Sequence, residues 1–205
     1  MLNGGSIRQT VARKYQLKRR AERQAETRHR IVAATVELHQ TIGPARTTVA
    51  AIAEKAGVER LTFYRHFPDP GSLFEACAAH SFATDPLPAV EEWTTISDPR
   101  SRLRAALAAS YAFYRAHEHL MTVIFRDREA GLPVGGGFLA YQDRAAKAVA
   151  DAWPATPDVA AVIAHALDFH AWRSLAIRQG LADARVVELM SALVVAATRA
   201  PLSAG

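Results

Sequence analysis

The stretch Thr48-Val49-Ala50-Ala51-Ile52-Ala53-Glu54-Lys55-Ala56-Gly57-Val58, followed by Glu59-Arg60-Leu61-Thr62-Phe63-Tyr64-Arg65-His66-Phe67, constrains the fold of this chain more than any other. Val49, Ile52 and Ala53 fall at i, i+3 and i+4, so they share one helical face. Thr48 stands where its hydroxyl can cap that helix. Gly57 follows at the point where the chain must turn, and glycine enters the left-handed region without steric penalty. Phe63 and Phe67, four apart, form the inner face of a second short helix. Its outer face carries Arg60, Thr62, Tyr64, Arg65 and His66, all able to donate to phosphate or to base edges. Two short helices at a glycine corner, the second basic on its outside, predict a helix-turn-helix.

Charge supports a polyanionic partner. The 205 residues carry a formal net charge of +5. Residues 1–30 hold nine Lys/Arg against Glu22 and Glu26, a local +7, which leaves −2 for the rest. Positive charge gathered at the helix-turn-helix end is the electrostatic footprint of a nucleic-acid binder. Residues 1–20 taken alone read first as a basic flexible arm that aids solubility, with contact to DNA as the second reading.

The run Thr47-Thr48-Val49, Ile52-Ala53, Ala56-Gly57-Val58, Thr62-Phe63-Tyr64-Arg65-His66-Phe67 and Leu73 resembles the N-terminal domain of TetR-family transcriptional regulators. The specific resemblance covers roughly residues 25–80; beyond that it is one of length and helical character. It implies a homodimer on a palindromic operator, usually released when a small molecule enters the C-terminal domain. It also implies that Thr48 meets a phosphate, that Arg60 and Leu61 face bases, and that Thr62, Tyr64 and His66 touch phosphate or base. Arg65 matches a variable position often used for specificity. Two positions depart from the family pattern. Pro70 replaces the usual phosphate-gripping lysine, although Asp69-Pro70 still makes a good helix start. Leu61 replaces a frequent glycine and would present an apolar group to a thymine methyl.

The rest of the chain reads as helix. The predicted fold is all-α with about nine helices, divided into an arm at 1–20, a DNA-binding domain at 21–69 and a ligand-binding and dimerisation domain at 70–205. A first helix is predicted from about Ala21 to Ile42, and others at Pro70–Ala83, Pro99–His117, His119–Arg128, Phe138–Trp153, Pro157–Gln179 and Ala182–Thr198. The last two, joined by a short turn at Gly180, are predicted to pack antiparallel and to form the dimer. Leu107, Tyr111, Tyr114, Phe125, Tyr141, Phe169, His170 and Arg173 are the candidate effector-binding residues: rings for walls, a few polar groups for orientation. The same aromatic stripe at helical spacing also suits a plain core.

Other classes find little support. The Gly-rich loop 131–137 lacks the Gly-Lys-Ser/Thr ending of a phosphate cradle. His165 and His170 are five apart, a poor spacing for shared chelation, so neither metal nor cofactor is expected. No nucleophile elbow or zinc-histidine pair marks an enzyme. Cys77 is the one cysteine and reads as a small buried hydrophobe. Met1–Ser6 lead into charge rather than an apolar stretch, so a cytoplasmic protein is expected. The resulting expectation is a DNA-binding transcriptional regulator, a repressor released by a small effector. The alternatives are a DNA-binding protein without ligand control and, more remotely, a helical enzyme.

Overall fold

A computed structural model describes residues 4–199, with side chains from residue 13 onward. The described residues form eleven α-helices and no strand: α1 Gly4–Ile42, α2 Val49–Ala56, α3 Arg60–His66, α4 Pro70–Thr84, α5 Val90–Thr94, α6 Pro99–Ala116, α7 Glu118–Glu129, α8 Gly136–Ala150, α9 Pro157–Ala166, α10 Phe169–Arg173 and α11 Asp183–Ala197. None is long and apolar enough to cross a membrane. Two compact units divide at His80/Ser81.

The division falls eleven residues beyond the boundary read from sequence. Leu73 and Cys77, on the first half of α4, pack with Ile31, Val32, Ala34, Ile52, Ala56, Phe63 and Phe67 in the core of the N-terminal unit. A helical start at Pro70 marks where an element begins, but burial decides which core owns it. Helix α1 likewise differs from its predicted start near Ala21. It runs from Gly4, so residues 4–20, expected as a flexible arm, continue the helix that Ile31 and Val32 anchor; residues 1–3 of that arm lie outside the described residues. Arg and Lys are good helix formers, so the basic stretch sustains the helix.

In the second unit, α6 and α8 to α11 surround one core. Trp93 on α5, a helix missed in the sequence reading, is 4% exposed and seals one side. Leu103, Leu107, Tyr111 and Tyr114 of α6 are all buried there, in phase as predicted. The predicted single helix Pro157–Gln179 is broken. α9 ends at Ala166, Asp168 caps α10 by accepting from the Ala171 amide at 2.9 Å, and Ser174–Arg178 is a π-helical turn. Tertiary partners hold the break open. Tyr111 Oη donates to the Ala166 carbonyl at 2.7 Å and Tyr114 Oη to the Leu167 carbonyl at 2.5 Å. Without these bonds the Ala166 carbonyl would be left unsatisfied, and the Leu167 carbonyl would keep Gln142 Nε2 at 3.3 Å.

Candidate nucleic-acid interface

The corner between α2 and α3 is built from local chemistry. Thr48 has extended backbone angles, and its Oγ1 accepts from the Ala51 amide at 3.2 Å. Gly57 closes α2 at φ 63°, ψ 42°, and the Val58 amide donates to the Ala53 carbonyl at 2.9 Å. A Cβ at Gly57 would find its nearest neighbour, Arg30 Nη1, at 3.7 Å. Space is therefore available, and the left-handed φ is what selects glycine; other residues pay ~1–2 kcal/mol there.

Side-chain burial then orients α3. Phe63 is 4% and Phe67 2% exposed, both turned into the N-terminal core. The opposite face must point outward. Leu61 is 77% and Tyr64 54% exposed. Arg60, Arg65 and Thr48 are exposed, while Thr62 and His66 are half-buried. All seven residues named from the sequence lie on or beside this corner. At 77% exposed, Leu61 has no part in the core of the chain itself.

The end of α3 is clamped to α1. Arg28 Nη1 donates to the His66 carbonyl at 3.0 Å, and its guanidinium lies 4.2 Å from the centre of the Phe67 ring. Lys55 on α2 pairs with Glu37 on α1 at 2.5 Å. Partial burial holds the His66 imidazole below its usual pKa, helped by the Arg65 and Arg28 cations. Sequence reading missed one group here. Arg20, Arg23, Gln24 and Thr27 of α1 share a concavity with Arg65 and His66. Their spacing at i, i+3, i+4 and i+7 is readable in sequence, but not what they face.

The effector candidates separate into two sets. Leu107, Tyr111, Tyr114, Phe125, Tyr141 and Phe169 meet in one buried cluster. Its three phenols already have partners. The Tyr111 and Tyr114 phenols are spent on the α9–α10 carbonyls, and Tyr141 Oη donates to the Pro88 carbonyl at 3.0 Å. Burial pushes all three phenols well above their usual pKa. His170 is exposed, with its ring 4.8 Å from that of Phe125. Arg173 is half-buried and donates through Nε to Glu118 Oε1 at 2.6 Å. The two groups expected to orient an anionic ligand therefore lie at the rim of the aromatic cluster, one of them already paired.

Residues 31–77 match the family described as bacterial regulatory proteins, tetR family. Among solved structures, the chain is similar to a TetR-like transcriptional regulator from Rhodococcus sp. RHA1, at 19% identity and a TM-score of 0.54. That match covers 82% of this chain and 93% of the other, and at this identity it speaks for the fold. No curated protein sequence matches the chain.

Proposed function

We propose that this chain, a DNA-binding transcriptional regulator of the TetR family, acts as a homodimeric repressor that reads a palindromic operator and is released by a small effector. The observation that carries the DNA reading is the outward face of α3. Leu61 and Tyr64 stand exposed beside Arg60 on a helix whose other face is fully committed to the core. Arg60 and Leu61 at the front of α3 are the base readers; Thr48, Thr62 and Tyr64 complete the contact. A selection of bound duplexes from a random library should yield a palindrome. Arg60→Ala should relax one position of each half-site and weaken binding by ~1–3 kcal/mol. Recovery of no enriched sequence would overturn this reading.

Dimerisation is assigned to α9 and α11. Leu189 and Leu193 are 36% and 43% exposed, with Ala192 and Ala196 exposed on the same helix and Ala160, Ala161 and Ala164 exposed on α9. That apolar face is what a self-complementary contact would cover.

Effector control is assigned to the aromatic cluster of the second unit. The feature that favours opening there is the interrupted path from Ala166 through the π-helical turn Ser174–Arg178, a type of irregularity often found at functional positions. An apolar effector with an anionic or hydrogen-bonding part would insert by displacing Phe125 or Phe169 and compete for His170 and Arg173. It need prefer the released state by only ~1–3 kcal/mol to weaken DNA binding 5–150-fold. A change in the ~34 Å spacing of the two recognition helices would suffice. A thermal-shift screen of small aromatic acids, followed by DNA-release assays on the hits, tests this. A protein whose DNA complex ignores every stabilising hit is the constitutive binder instead.

A further inference from the structure

Arg20, Arg23, Gln24 and Thr27 occupy one face of α1, and Arg65 and His66 close the end of α3. Together they line a concavity of about 290 Å³. A water's share of liquid volume is ~30 Å³, so a group several waters in size fits. The lining holds three guanidiniums, an imidazole, an amide and a hydroxyl, and no carboxylate. Among the described residues none of the three arginines joins an ion pair. Thr27 spends its hydroxyl proton on the Arg23 carbonyl, and Arg23 Nε reaches only the Arg19 carbonyl at 3.3 Å. The paired Nη groups of Arg23 are thus left for another acceptor. The two walls are held together by Arg28, which bonds the His66 carbonyl and covers Phe67.

Like charges facing one another without a counter-ion repel, and the repulsion is relieved when an anion enters. We propose that this concavity is a phosphate seat, which takes one backbone phosphodiester of duplex DNA between α1 and the end of α3. It rests on the DNA-binding reading above and adds the two residues of the outer face of α3 left out of it: Arg65 and His66 anchor the duplex and do not read bases. Backbone contacts of this kind fix register and carry no sequence information themselves. The seat also gives the basic face of α1 a defined task, because Arg13 continues the same face toward the N-terminus.

The test uses the full chain and its selected duplex. Salt dependence of binding is measured for the wild type, Arg23→Gln, Arg65→Gln and the double variant. Each single change should flatten the log–log salt slope by ~0.9, the value for one phosphate. The double variant should lose no more than either single, because both arginines serve the same phosphate. Preference among single-base variants of the duplex should survive Arg65→Gln. Additive loss of ~1.8, twice the one-phosphate value, would mean two separate phosphates and overturn the seat. So would unchanged slopes, or relaxed preference at one base pair. Arg65→Lys keeps the charge but not the planar fork, so it should restore the slope with weaker affinity; a folded Arg65→Lys that behaves like Arg65→Gln also counts against the seat. Inorganic phosphate alone, followed by the His66 ring signals, separates the two sources of phosphate. Saturation by free phosphate at concentrations that leave the duplex bound would assign the site to a free anion and overturn the backbone assignment. Failure of the wild type to prefer any duplex fails the regulator reading itself. Specific binding that is indifferent to Arg23 and Arg65 fails only the seat.

Discussion

The Arg28 guanidinium sits 4.2 Å from the centre of the Phe67 ring and donates to the carbonyl of His66 at 3.0 Å. One side chain thereby ties the middle of α1 to the last residue of α3 and to the residue after it. The position of α3 depends on a contact spanning 38 residues of chain, in addition to the α2–α3 corner.

Arg28→Ala removes the cation over the ring and the donor to the carbonyl. Both groups are partly exposed, so a loss of ~1 kcal/mol is expected, within the range for exposed cation–π and hydrogen-bond contacts. Thermal melting should detect it. DNA affinity should fall further than charge loss alone explains, and Arg28→Lys should recover little, because lysine lacks the planar fork.

Tyr111→Phe should destabilise the second unit more than Tyr114→Phe. The Leu167 carbonyl keeps a second donor, Gln142 Nε2 at 3.3 Å, when Tyr114 loses its hydroxyl. Tyr111 is the donor described for the Ala166 carbonyl. Stranding a buried carbonyl costs ~1–3 kcal/mol. Denaturant unfolding of both variants gives the comparison, and equal losses would remove this account of the break between α9 and α10.

Leu193→Asp separates assembly from folding. At 43% exposed in the single chain, the position tolerates a charge in the monomer. In a dimer it would bury an unpaired ion at a cost of several kcal/mol. Sedimentation should show a folded monomer, and operator binding should fall steeply. A variant that stays dimeric places the interface elsewhere.

The Glu118–Arg173 pair should be visible in acid. The hydrogen bond from Arg173 is the main cause that holds the Glu118 carboxyl below its ordinary 4.5, with Thr122 assisting against the opposing effect of burial. A depressed carboxyl stabilises the fold above its ordinary value and loses that contribution as pH falls through the lower folded value. Melting temperature should therefore drop less steeply below pH 4.5 in Arg173→Met than in the wild type. Parallel pH profiles would exclude the pair as a contributor.

Cys77 should be inert while the N-terminal unit is folded. Burial pushes its thiol up to about 12, and the thiolate is the reactive form. Thiol-labelling rates in increasing denaturant should follow unfolding of that unit. Rapid labelling of the native protein would contradict the burial.

The sequence by itself determined the helix-turn-helix. Thr48 capping, the left-handed Gly57 and the Phe63/Phe67 face are nearest-neighbour or one-turn relationships, so composition and spacing express them fully. The in-phase core of α6 was legible for the same reason, and so was the burial of Cys77. Only tertiary structure decided the rest. Asp168 is a local cap for a new helix, but the break after Ala166 is decided by the two phenols that satisfy the freed carbonyls from more than fifty residues earlier. Those same bonds give Tyr111 and Tyr114 a structural role that their spacing does not show. The assignment of early α4 to the N-terminal core and the meeting of Arg20 and Arg23 with Arg65 have the same origin. A residue's spacing fixes which face it occupies; only the packing of distant segments fixes what that face meets.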